Sequence, residues 1–141
     1  MTTSFSAQVD EIIAKSEKNM LLLLKQSVSD VIDGANTSTS KGGRMRRDTG
    51  FLNASGVASL TGMPSGPGRG ESKIPDFYKY EDSNVIATIG QLKLGSTIFY
   101  GWTANYAKYR ELKDGFLAAE LQNWQAIVNK NANEIKKRSK L

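Results

Sequence analysis

Apolar residues recur at three- and four-residue intervals from Phe5 through Val9, Ile12, Ile13, Met20, Leu23, Leu24, Val28, Val31 and Ile32. That spacing lines one face of an α-helix. It predicts a long first helix over residues 5–33, with Gly34 as its left-handed stop. At about 1.5 Å per residue such a helix extends roughly 40 Å, longer than a small domain needs. It is therefore expected to project from the body or to pack on a neighbour. A second stripe, Leu117, Leu121, Trp124, Val128, Asn131 and Ile135, predicts a C-terminal helix over 116–138. Its last turn carries Lys136, Lys137 and Arg138, where cations favour the helix dipole.

Between the two helices the pattern changes. Residues 34–47 are polar and glycine-rich and read as a basic flexible loop with nothing to build a core. Asp48 is expected to cap a short helix reaching Ser55, accepting the backbone N–H of Gly50 or Phe51. Phe51, Leu52 and Ser55 would then share a face. Strands are expected at Val57–Thr61, Val85–Ile89 and Thr97–Trp102, the last two joined as a hairpin through Gly90–Gly95. Alternation in the last strand sets Ile98, Tyr100 and Trp102 on one face. Residues 62–76 hold four glycines and all three prolines, a long loop of the functional or disordered kind. The order predicts an α+β fold. A small antiparallel sheet, within 48–115, carries two long amphipathic helices packed on one face, with long flexible loops, in a single domain over 1–141.

Composition narrows the chemistry. With no Cys and no His, there is no thiolate, no imidazole base and no usual zinc ligand. Neither a Ser-x-x-Lys nor a Gly-x-Ser-x-Gly pattern occurs. The pairs Asp10/Glu11 and Glu81/Asp82 are sequence neighbours, so they point apart and read as solvated surface. Gly66-Pro67-Gly68-Arg69-Gly70 lacks the Gly-Lys-Ser/Thr ending of a phosphate loop. The expectation is a protein that is not an enzyme and has no catalytic residues, metal or cofactor. The longest apolar run, Met20–Leu24, is far short of a bilayer span. No signal peptide is visible, and a cytosol-like site of synthesis is expected.

The net charge of +5 is unevenly placed. Residues 1–33 hold three bases and five acids, and residues 48–135 hold eight and nine. The excess sits in Lys41, Arg44, Arg46 and Arg47, and in Lys136, Lys137, Arg138 and Lys140. The first run has three readings: solvated surface, contact with nucleic-acid phosphates, or docking on an acidic protein surface. Five of the twelve aromatics lie between Phe99 and Tyr109. They read either as a roof over the sheet or as a base-stacking platform.

Asp48-Thr49-Gly50-Phe51-Leu52-Asn53-Ala54-Ser55 resembles the Asp-Thr-Gly-x-Leu-x-x-Ser signature of the tail-completion (head–tail joining, or neck) proteins of tailed bacteriophages. Gly101-Trp102 followed by Tyr106-Ala107-Lys108-Tyr109 is similar to that family's strand ending in Tyr-Ala, and the C-terminal helix with Trp124 fits its layout. Where many members carry a proline shortly before the signature, this chain has Arg46-Arg47. The resemblance implies a structural virion protein, made in the host cytoplasm, that forms a hexameric or dodecameric ring at the neck. Its partners would be itself and adjoining neck, connector or tail proteins, with transient contact to packaged DNA possible and no membrane involved. The tail-terminator ring is the neighbouring alternative, and a small basic nucleic-acid-binding module the alternative of another class. On this reading Lys41, Arg44, Arg46, Arg47, Arg69, Lys136, Lys137 and Arg138 are interface residues. Asp48, Thr49, Gly50, Phe51 and Leu52 shape the short helix, and Trp102, Tyr106, Ala107 and Trp124 belong to the structural frame, with Trp102, Tyr106 and Trp124 in the core.

Overall fold

A computed structural model describes residues 4–64 and 78–139. The chain forms helix α1 (Phe5–Ala35), helix α2 (Phe51–Ala54), strand β1 (Gly56–Ser59), helix α3 (Ser83–Gly90), strand β2 (Phe99–Trp102), and helices α4 (Ala107–Asp114), α5 (Phe116–Gln122) and α6 (Trp124–Ser139). The fold class is α+β: β1 and β2 pair antiparallel, and helices pack on them.

The register Gly56↔Trp102 and Ala58↔Tyr100 sets these four residues on one face of the sheet. That face is covered. Ile32 and Val28 of α1 and Val85 and Ile89 of α3 meet Ala58 and Tyr100 in one apolar cluster. Phe116 of α5 stands edge-on to Trp102, centroids 4.9 Å apart, within a second cluster of Met45, Leu52, Ala104 and Phe116. On the opposite face, Met63 and Pro64 lie beside Gly101.

Helix α1 begins at Ser4, whose hydroxyl accepts the N–H of Ala7 at 3.2 Å. It does not stop at Gly34. Gly34 lies inside the last turn against the Glu120 carboxylate, and Asn36 follows as a right-handed cap. The buried Asn131 of α6 donates to Ser27 Oγ (3.3 Å) and Asp30 Oδ2 (2.9 Å) of α1. With Glu120 beside Gly34 and Asn131 beside Ser27, the C-terminal helices run antiparallel to α1.

Residues 85–89 are not a strand. Val85 and Ile89, one helical turn apart, face the core from α3. The Asn84 side chain accepts the Ala58 N–H (2.7 Å) and donates to the Ala58 carbonyl (3.2 Å), closing the outer edge of β1. Gly90–Gly95 is accordingly no hairpin, and the partner of β2 is β1, which spans 56–59 rather than 57–61.

The 34–47 segment is built into the body. Ser38 and Met45 form an isolated bridge, Gly43 N–H donates to the Ser38 carbonyl at 2.9 Å, and Met45 is 1% exposed in the core. The expected single C-terminal helix breaks at Asn123. Phe116, at the start of α5, is buried, and Trp124, at the start of α6, is 38% exposed, which corrects the expected core placement of Trp124. Tyr106 and Ala107 do not end a strand; they cap and open α4.

Candidate functional site

The signature segment is a turn with defined roles. Gly50, not Asp48, caps α2, at φ +85°. The acceptor for the Phe51 N–H is Thr49 Oγ1, at 3.3 Å, while Asp48 is exposed. The Thr49 carbonyl accepts the Tyr78 N–H at 2.8 Å, and a Cβ on Gly50 would run into the Tyr78 carbonyl. Glycine is therefore required twice, by conformation and by space. Leu52 is buried, and Phe51 stands edge-on to Tyr78 at 5.0 Å and lies 6.2 Å from Tyr106.

Between this turn and the start of α4 lies a cleft of about 360 Å³. Phe51 and Tyr106 line it, with Arg46, Arg47 and Arg110 opposing the single carboxylate of Asp48. Arg110 is held by Asp114 through Nε (3.0 Å) and Nη2 (2.9 and 2.7 Å), so its position is fixed. An open, net-positive cleft with aromatic walls suits a carboxylate borne on an apolar segment.

A second cleft, of about 390 Å³, shares Arg47 and adds Lys41, Lys79, Asp33 and Tyr80. Burial raises the pKa of Tyr80, with the Asp33 and Asp82 carboxylates adding to it. Its hydroxyl is buried and falls outside hydrogen-bond geometry among the described residues, although Tyr100 Oη lies close enough to act on it electrically. Burial likewise pushes Tyr100 up.

Asn36 lines this second cleft. Its amide donates to Tyr100 Oη (2.8 Å) and the Ile32 carbonyl (3.1 Å), and its Oδ1 accepts Trp102 Nε1 (2.9 Å). Asn53 Nδ2 in turn donates to the Asn36 carbonyl at 2.8 Å. This buried amide knot ties α1 to α2 and β2.

The structure thus gathers Arg46 and Arg47 with Asp48, Thr49, Gly50, Phe51, Leu52 and Tyr106 around one cleft. Lys41 lines the second, Arg44 is exposed on the same loop, and Lys136, Lys137 and Arg138 are exposed separately on α6. Trp102 is half-buried against the second apolar cluster and Ala107 packs beside it. Arg69 and the greater part of the 62–76 loop lie outside the described residues. Sequence reasoning missed Asn36, Asn53, Arg110 and Tyr78. Only Arg110 had a local signal, its i,i+4 spacing from Asp114.

Among the described residues no group of three or more Asp, Glu, His or Cys is placed to hold a metal ion, and no helix is long and apolar enough to cross a membrane. No protein family, curated protein or solved structure matches the chain.

Proposed function

We propose that this protein is a structural component of a tailed-bacteriophage particle, forming a ring in the neck that completes the tail and joins it to the head. The observation that carries the reading is the first half of α1. From Ser4 to Lys18 almost every described side chain is exposed, including Phe5 (81%) and Ile13 (50%). A helix end that turns apolar side chains to solvent suits an assembly subunit, whose neighbour covers them. The Asp-Thr-Gly-Phe-Leu turn supports the same reading, because it sets Arg46 and Arg47 at the rim of an open cleft on the body. The working mechanism is a rigid sheet-and-helix body, with the α1 projection and the basic rim meeting neighbouring subunits or the adjoining ring. The test is labelling this protein in purified particles and imaging them; signal at the head–tail junction supports the role, and signal spread over the capsid shell removes it. The tail-terminator ring is the nearest alternative within this class.

The shared position of Lys41, Arg47 and Lys79 at one cleft favours a second reading, a nucleic-acid-binding module. Binding to duplex or single-stranded DNA that weakens steeply with salt supports it. A flat salt response removes it.

A further inference from the structure

We propose that the exposed N-terminal half of α1 docks head-to-tail on the α4 face of a second copy of this chain. The inference rests on the ring reading for its closed geometry, but the contact itself follows from two surfaces on one molecule.

The first surface is the α1 projection. Antiparallel packing pairs Asn131 with Ser27 and Asp30, so α6 runs out level with about residue 20 of α1. Roughly 15 residues, about 22 Å, extend past it. At 100° per residue Phe5, Val9, Ile13 and Met20 form one stripe, and Asp10 and Glu17, two turns apart, run along its border. Phe5, Ile13 and Met20 are 81%, 50% and 60% exposed. Residues 5–14 contain two acids and no base.

The second surface carries a basic excess, with Asp48 in its cleft and Arg110 already paired with Asp114, and has the same apolar character. Tyr106, which caps α4, and Arg110 within it line the cleft described above. One turn on from each, Tyr109 and Lys113 carry that face outward, and Leu112 lies beside them. Tyr109 is 69% and Leu112 76% exposed. The bases on this side are Arg46, Lys108 and Lys113, all exposed.

An apolar stripe edged with carboxylates meets an apolar strip edged with cations. The two lie on different elements of the chain, so the contact is heterologous: each subunit offers the helix to one neighbour and the α4 face to the other. Repeated contacts of that kind close a ring when the rotation permits. A second copy is preferred over an unrelated partner because both complementary halves are present on every subunit.

The absence of native cysteine makes the test direct. The full-length double variant Ile13→Cys/Leu112→Cys, treated with a short bismaleimide linker, is expected to give a ladder of dimers, trimers and larger species. Each single variant is expected to give no species above a dimer. Adding Asp10→Lys and Glu17→Lys is expected to reduce the ladder several-fold, as is high salt. The pair Phe5→Cys/Tyr109→Cys guards against a variant that folds poorly. Monomers only, or dimers as the largest product from both pairs, would overturn the proposal. A ladder from a protein absent from the neck would keep the contact and sink the neck role. Neck density without any ladder would do the reverse.

Discussion

Trp102 Nε1 donates to Asn36 Oδ1 at 2.9 Å, which fastens the sheet to the end of the first helix. The same Asn36 side chain holds Tyr100 Oη. Asn36→Ala would strip both rings of their polar partner at once. Orphaned buried polar groups cost about 1–3 kcal/mol each, so a loss of about 2–6 kcal/mol is expected. Urea unfolding followed by tryptophan fluorescence measures it.

Gly50 tests the signature turn. Its φ of +85° and the Tyr78 carbonyl beside it leave no place for a Cβ. Gly50→Ala is expected to lose at least about 1–3 kcal/mol, the range for a strained backbone residue. Gly95 has a similar φ of +86° in open space. Gly95→Ala should therefore cost clearly less, and comparing thermal midpoints separates space from conformation.

Aromatic truncation should divide along burial. Phe116 is 2% exposed, and Phe116→Ala is expected to cost about 3–5 kcal/mol. Trp124, 38% exposed, is expected to cost less than half of that. Equal losses in denaturant titrations would contradict the placement of α5 and α6.

Stability should also respond to acid in a definite direction. Desolvation, then the charges of Asp30 and Asp82, raise the pKa of Asp33, and desolvation raises that of Glu120. The folded state therefore holds these protons more tightly than the unfolded chain does. Their favourable contribution is full below the ordinary carboxyl range and is lost as pH rises through the elevated folded values. Asp33→Asn and Glu120→Gln are accordingly expected to stabilise the protein at neutral pH. The gain should vanish in acid at about pH 3, below both values. Thermal melts across that range give the comparison.

Much of this fold is written in local periodicity, and the errors have physical causes. Helix α1 is readable because its stripe repeats over eight turns. Helix α3 is not, since Val85, Ile86 and Ile89 are β-branched and only tertiary contact selects the i,i+4 face. The 34–47 segment reads as loose because its one large apolar residue, Met45, gains its place from distant Leu52 and Phe116. Asp48 is a better cap than Thr49 by residue type alone. The left-handed Gly50 moves the helix start on by two positions, and the Phe51 N–H is accepted by the threonine. The cleft follows the same rule. Arg46, Arg47 and Phe51 stand together in the sequence, while Tyr106 and Arg110 join them only through the packing of α4. The Asn36 knot spans more than sixty residues, and no local pattern announces it.

The central claim concerns location and assembly, and electron cryomicroscopy of purified particles tests both together. The protein, labelled and assigned in the density, is predicted to appear as a ring of identical subunits at the head–tail junction, with each α1 reaching the adjacent subunit. Density in the capsid shell, or particles that assemble fully without the protein, would contradict the account.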